Sequence, residues 1–387
     1  MKIIQTIGGM NVTGGGTVSC TAQLFEAMHQ LDSQVKLLTI APKDIDEEVL
    51  GNGTDWLWQV PYDVRTPLAY SRNFRNHLRT AAAEVLHTNG LWMYINHITC
   101  SFARKRNIPY VISPHGMLYP EALARSKWKK HIVEWLWFHQ DISQATAFHV
   151  TCEQEMKYVR DYGYRGPIAV IGNPVSIPDY LSGINHRITT DNSHIRKIGF
   201  LGRLHPRKQV ERIFQGVARL PLNDQKQFRI IVIGSGSPEY ERFLNEEAAL
   251  LGIRHLVEFK GFLSGKSKFE QLADIDALFV PSDMENFGMI VPEALLVNTP
   301  VMASTGTPWQ ILEEERCGWW RPASAESIAG VLREILAATP GELREMGRRG
   351  AEMVRRQYAA PIIAAKMLAL YRWILDGGEK PEFVYTL

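Results

Sequence analysis

The sequence predicts two α/β domains in tandem, each a parallel sheet covered by helices on both faces. Three observations carry that expectation. Short β-branched runs alternate with segments of helical spacing, the pattern of repeated βαβ units. The alternation stops in a polar stretch ending near residue 196 and then begins again. The 387 residues suit two or three domains, with apolar (45%) and charged (22%) fractions ordinary for a globular protein.

In chain order, Ile3–Ile7, Val35–Ile40, Val85–Thr88, Tyr110–Ser113, Ala147–Thr151 and Ile168–Ile171 read as strands. They are short, β-branched and bounded by Gly, Pro or Asn. Residues 17–31 and 71–86 have helical spacing. Pro174, Pro178 and many polar residues then mark a linker. Beyond it Ile198–Leu201, Arg229–Ile233, Val257–Lys260, Ala277–Val280 and Val301–Ala303 read as strands, separated by helical segments at 208–219, 239–250, 267–273 and 292–297. The expected division is an N-terminal domain over 1–175, a linker over 176–196 and a C-terminal domain over 197–358. A last segment, 359–387, holds the helix Pro361–Leu375, which is too apolar for a solvated tail. Ligands of such sheets sit beyond the carboxyl ends of the strands, so function is sought in the loops that follow them.

Composition excludes several classes. With 43 Lys+Arg against 41 Asp+Glu the formal charge is only +2, which argues against a nucleic-acid partner. Cys20, Cys100, Cys152 and Cys317 form no CxxC pair and read as free thiols in a cytoplasmic protein. The apolar run after Met1 is too short for a signal peptide, and no stretch has the length of a membrane span. Residues 125–138, with Arg125, Lys127, Lys129, Lys130 and three tryptophans, have the composition of an interfacial helix on the cytoplasmic, inner-leaflet face of a membrane. Trp128, Ile132, Trp135 and Leu136 also have the helical spacing of one core face, the alternative reading in which only the basic N-terminal half is solvated.

Four clusters carry chemistry. In Glu285-Asn286-Phe287-Gly288-Met289-Ile290-Val291-Pro292-Glu293-Ala294, one continuous helix would leave the two glutamates as exposed charges. Gly288 breaks that helix, and Pro292 suits a helix start. Glu285 is then expected in a loop and Glu293 in a first helical turn, next to N–H groups able to hold phosphate. In Gly202-Arg203-Leu204-His205-Pro206-Arg207-Lys208 the cations follow a strand, and Arg203 and Lys208 suit a diphosphate. In Ser113-Pro114-His115-Gly116-Met117 a tight turn holds His115 at a strand end. In Thr13-Gly14-Gly15-Gly16-Thr17 the backbone can approach a ligand closely, but Ser19 replaces the third Gly of a dinucleotide fingerprint. Asp44-Ile45-Asp46 and Asp274-Ile275-Asp276 read as surface or turn charge.

Taken in order, Gly loop, His turn, GRLxxxxK and ExFGxxxxEA resemble the retaining glycosyltransferases of family 4, over about residues 3–375. The turn at Pro114–Met117 with Thr307-Pro308-Trp309-Gln310 resembles the bacterial exopolysaccharide, capsule and lipopolysaccharide branch. The resemblance implies the GT-B fold: two Rossmann-like domains facing across a cleft, with the C-terminal helix crossing back to the N-terminal domain. It implies a nucleotide-diphospho-sugar as co-substrate, no bound metal, and a saccharide or lipid-linked acceptor. By that likeness Gly202, Arg203 and Lys208 meet the donor diphosphate, Glu293 the ribose and Glu285 the sugar hydroxyls. Amides from Phe287, Gly288, Met289 and Ile290 help hold sugar and phosphate, Gly15 and Gly16 close over the diphosphate, and His115 lies by the transferred sugar. His115, Glu285, Arg203 and Lys208 are the expected catalytic set. Gln209 and Asn298 stand where the family commonly has Gly. The residues by themselves leave two other readings open: a nicotinamide-dependent oxidoreductase on the Gly loop, and a non-catalytic nucleotide or sugar-binding protein.

Overall fold

The computed structural model describes residues 1–11, 15–41, 48–61, 63, 70–124, 138–184 and 195–387. By internal contact the chain divides into Met1–Ser176 with Ala360–Leu387, and Ile177–Ala359. Its strands are β1 (Ile3–Ile7), β2 (Val35–Ile40), β3 (Leu57–Val60), β4 (Val85–Asn89), β5 (Tyr110–Ser113), β6 (Ala147–Val150), β7 (Ile168–Val170), β8 (Arg196–Leu201), β9 (Phe228–Ile233), β10 (Val257–Gly261), β11 (Ala277–Val280), β12 (Val301–Ser304), β13 (Gly318–Arg321) and β14 (Val384–Tyr385).

The first unit carries an eight-stranded sheet in the order β14-β7-β6-β5-β4-β1-β2-β3. Its pairings are parallel except the last, where Val384 of β14 runs antiparallel opposite Ala169. Every residue of β1, β4, β5 and β6 is buried, because helices cover both faces. The closing helix Ala360–Asp376 packs on Gly16–Leu31 of this unit. It buries Ile363, Ala364, Met367, Leu368, Leu370 and Tyr371, a stripe at helical spacing. Each such apolar side chain contributes roughly 1.5–3 kcal/mol relative to exposure, which holds the returning chain in place.

The second unit carries a six-stranded parallel sheet in the order β10-β9-β8-β11-β12-β13. Numbered within the unit, that is the doubly wound order 3-2-1-4-5-6, so the strand direction of travel reverses between β8 and β11. The same reversal lies between β1 and β4 in the first unit. Phe200, Phe214, Phe228, Val232, Phe279 and Leu332 fill one core of the second unit. Among the described residues no helix is long and apolar enough to cross a membrane.

Several expectations change. The helix expected from Pro292 runs Ile290–Leu296, placing Pro292 third. A proline is tolerated there because the first four N–H groups of a helix have no intrahelical partner. The segment 71–86 is helical only over Arg72–Thr80, since β4 takes over at Val85. β3, β13 and β14, and the helices Tyr94–Arg106, Glu153–Asp161, Ala325–Ala337 and Pro340–Gln357, were not in the sequence reading. Asp274-Ile275-Asp276 is the turn before β11, and within it Asp276 is held, receiving the Lys197 N–H at 2.7 Å and lying 3.9 Å from buried Arg196. Asp44–Asp46, residues 12–14 of the glycine loop, residues 125–137 of the interfacial segment and residues 185–194 of the linker lie outside the described residues.

Candidate active site

In the second unit the loops after β8 and β11 meet where the strand order reverses. Gly202, at φ 152, follows β8; a Cβ on neighbouring Gly234 would lie 1.8 Å from its carbonyl oxygen. Only glycine lets these two post-strand loops run so close. Arg203 is exposed and makes no ion pair with a described residue. A short 3₁₀ turn, Pro206–Lys208, then turns Lys208 inward, and Gln209 ends it at φ 52. That left-handed angle is the physical reason a glycine suits position 209. Asn298 likewise sits at φ 53, a conformation Asn tolerates.

The two loops are tied by main chain and side chain. The Asp283 N–H donates to the Arg207 carbonyl at 3.0 Å. The Lys208 ammonium pairs with Glu285 Oε1, which also accepts the Ser282 hydroxyl at 2.7 Å. Glu285 itself is held by its N–H donating to Gly306 O at 3.0 Å. The structure thus brings Glu285 and Lys208, 77 positions apart, into one pair.

Phe287 turns its ring into the protein, 5.1 Å from Trp309 and 5.5 Å from Tyr358 between ring centres. The Trp309 indole N–H donates to the Phe287 carbonyl. This aromatic cluster sets the loop from below, and Gly288 completes the turn at φ 80. Phe287 can therefore offer a ligand only its main chain. The amides of Gly288, Met289 and Ile290 donate to no acceptor among the described residues. Glu293, in the first helical turn, pairs with Lys268 at 2.8 Å. Burial raises the Tyr180 phenol pKa, and the Glu293 charge adds to that. Tyr180 and Phe269 stand 6.1 Å apart beside Lys268. Lys268 and Tyr180 escaped the sequence reading; a helix surface lysine and a linker tyrosine carry no motif.

Within the first unit, Gly15 at φ 76 caps the helix Gly16–Leu31, and a Cβ on either Gly15 or Gly16 would meet no atom of the described residues within 4 Å. His115, at φ 49, follows β5, and its Nε2 lies 2.9 Å from Asn89 Oδ1 at the end of β4. Burial, and then the charge of His149, lower the His115 pKa to about 3. The ring is neutral near neutral pH and half-buried. Next to it, burial lowers His149 from 6.5 to about 4 and holds His87 well below its ordinary value. These folded-state values lie below the unfolded one, so the folded protein binds fewer protons in between. The stability this supplies is complete above about pH 6.5 and is lost as the pH falls toward about 4. The melting temperature is expected to drop steadily over that interval in calorimetric scans; a flat profile from about pH 7 to 5 would contradict it.

In the second unit the site combines the cations Arg203 and Lys208, the carboxylates Glu285 and Glu293, and amides that meet no acceptor among the described residues, a set able to hold a diphosphate and neighbouring hydroxyls. Residues 15–174 match the model of the glycosyl transferase 4-like domain, and residues 184–353 that of glycosyl transferases group 1. An uncharacterized glycosyltransferase of Methanocaldococcus jannaschii is 29% identical over 144 residues, 37% of this chain and 36% of that protein. The match thus spans little more than a third of that relative's length. Sucrose-phosphate synthase from Thermosynechococcus elongatus superposes with a TM-score of 0.76 at 19% identity, covering 98% of this chain and 100% of that one. Anabaena HepE, solved in complex with UDP, superposes with a TM-score of 0.74 at 17% identity, covering 96% of this chain and 99% of that one.

Proposed function

Because this chain belongs to the family 4 type of GT-B glycosyltransferases, with both domain models matched in order, we propose that it moves a sugar from a nucleotide-diphospho-sugar to a hydroxyl acceptor with retention of configuration. The observation that carries this reading is the switch point of the second unit. There Arg203 makes no ion pair with a described residue, Lys208 is aimed by Glu285, and the amides of Gly288–Ile290 meet no acceptor among the described residues.

Arg203 and Lys208 neutralise the diphosphate as its bond to the anomeric carbon breaks. The acceptor oxygen bonds to that carbon on the same face, and its proton passes to the departing phosphate oxygen. Glu293 accepts the ribose hydroxyls, held in place by Lys268. Glu285 meets the sugar hydroxyls, and His115, neutral, accepts one from the transferred sugar. The cationic pair does the electrostatic work, so the reaction needs no bound metal. The acceptor is a saccharide or lipid-linked saccharide of a cell-surface polysaccharide; the turn Pro114–Met117 with Thr307–Gln310 supports that branch. HepE, of the same fold, binds UDP, which supports a nucleotide donor here.

The test is a thermal-shift screen against UDP, GDP, ADP, CMP and NADH. A ligand at 100 times its Kd stabilises the native state by about 2.7 kcal/mol, a readable shift. One nucleoside diphosphate should raise the melting point with EDTA present. The matching sugar donor should then yield a product whose anomeric proton coupling equals the donor's. A shift with NADH alone, or an inverted product, would overturn the reading.

A further inference from the structure

The central strand β1 carries two buried polar side chains, Gln5 and Thr6, where a parallel sheet normally holds apolar ones. Their partners form a continuous hydrogen-bond chain through the first unit. His115 Nε2 meets Asn89 Oδ1 at 2.9 Å, and Asn89 Nδ2 donates to Gln5 Oε1 at 2.8 Å. Gln5 Nε2 donates to the Tyr371 hydroxyl at 2.6 Å. That hydroxyl meets His87 Nδ1 at 2.6 Å, and His87 Nε2 meets the Ser113 hydroxyl at 2.6 Å. Ser113 meets His149 Nδ1 at 2.6 Å, and His149 Nε2 meets the Ile171 carbonyl at 2.9 Å.

The direction of this chain is set at its Ile171 end. A carbonyl only accepts, so His149 must carry its proton on Nε2 and accept on Nδ1. The Ser113 hydroxyl then donates to His149 and accepts from His87 Nε2. His87, with one ring proton, accepts the Tyr371 hydroxyl on Nδ1. Tyr371 in turn accepts from Gln5. Gln5 Oε1 then accepts from Asn89 Nδ2, which also lies 3.4 Å from the Thr6 carbonyl, a long contact that agrees with this amide orientation but is too weak to hold it alone. The polarity set at the Ile171 end therefore places the His115 proton on Nε2. The Nδ1 lone pair of His115 has no partner among the described residues.

We propose that this one-way chain fixes the tautomer of His115, and that Asn89, Gln5 and Tyr371 are positioning residues which make its Nδ1 a permanent hydrogen-bond acceptor. Tyr371 stands on the C-terminal helix Ala360–Asp376, so that helix supplies a polar anchor to the reacting histidine as well as apolar packing. A neutral ring with Nδ1 unprotonated can receive a substrate hydroxyl and cannot donate to one, which selects a hydroxyl at that place. The catalytic consequence rests on the glycosyl-transfer reading; the tautomer does not.

The experiment is ¹⁵N NMR of histidine-labelled full-length protein, with the His115 ring among the twelve histidines assigned by loss of its signals in His115→Gln. Wild type should show one neutral form with Nε2 protonated near neutral pH. Tyr371→Phe removes the acceptor of Gln5 and the donor to His87. It should bring a second His115 tautomer into the spectrum and lower kcat about tenfold with KM nearly unchanged. His115 protonated on Nδ1 in wild type overturns the proposal without any variant. So does a Tyr371→Phe spectrum in which His115 is unaltered while only the melting temperature falls. The predicted tautomer in a protein that transfers no sugar from any donor would uphold the chain of hydrogen bonds and reject the glycosyl-transfer reading instead.

Discussion

Arg203→Ala is expected to lower turnover by about 10²–10³ while leaving the fold intact, the usual cost of losing one preorganised charge donor at a developing anion. Arg203 is exposed and makes no ion pair with a described residue. Its removal therefore leaves no buried partner orphaned, and the melting temperature should stay within a degree or two of wild type. Lys208→Ala would not separate these effects so cleanly, because it leaves Glu285, only 13% exposed, without its cation. Initial rates on the identified donor, paired with thermal melts, decide the matter. Wild-type turnover in Arg203→Ala would remove the diphosphate role from the loop after β8.

Gly306→Ala is expected to damage stability and activity together. A Cβ there would lie 2.0 Å from the Asp283 carbonyl oxygen and 2.7 Å from its carbon. Main chain cannot yield as a flexible side chain does. The segment Ser282–Glu285 must move, yet its Glu285 N–H is bonded to Gly306 O at 3.0 Å and its carboxylate aims Lys208. The cost should reach about 3 kcal/mol, the upper end of overpacking. That corresponds to a melting temperature roughly 6–12 °C lower. Because the displaced segment carries the Glu285–Lys208 pair, turnover should fall even where the protein is fully folded. An unchanged melt would show that the loop after β11 can shift freely, and the rigid positioning of Glu285 would have to be abandoned.

The strands that were legible in the sequence are the fully buried ones. Ile3–Ile7, Tyr110–Ser113 and Ala277–Val280 stand out because both faces of each strand are covered, which demands an unbroken apolar run bounded by turn residues. β3 escaped because its middle residues are half-buried and include Gln59. β13, Gly-Trp-Trp-Arg, is an edge strand whose second half is partly exposed. The helix Tyr94–Arg106 escaped because Ile95, Ile98 and Thr99 are β-branched and its buried face includes Asn96 and Thr99. Its buried Asn96 is satisfied by Thr88 at 2.8 Å, a partner on another element.

The candidate site was legible in the same uneven way. Motif residues follow strands, and a glycine at a strand end marks a turn whose backbone needs it; Gly202 at φ 152, directly after β8, is one such case. The ion pairs were not legible. Lys208 with Glu285, and Lys268 with Glu293, join segments that only the crossover order brings side by side.

What the sequence determined by itself is local: the two alternating series, the loops after β8 and β11 as places for cations and carboxylates, and an apolar closing helix. Periodicity and turn chemistry act over a few residues, so they can be read there. Only the tertiary structure decided which of those groups meet. The reversal of strand order between β8 and β11 pairs Lys208 with Glu285, and the return of Ala360–Asp376 to the first unit sets Tyr371 against Gln5 and His87, from opposite ends of the chain. No local propensity encodes such a meeting, because it is fixed by burying all the apolar faces at once. The buried polar groups then had to find one another, since an unpaired one costs roughly 1–3 kcal/mol.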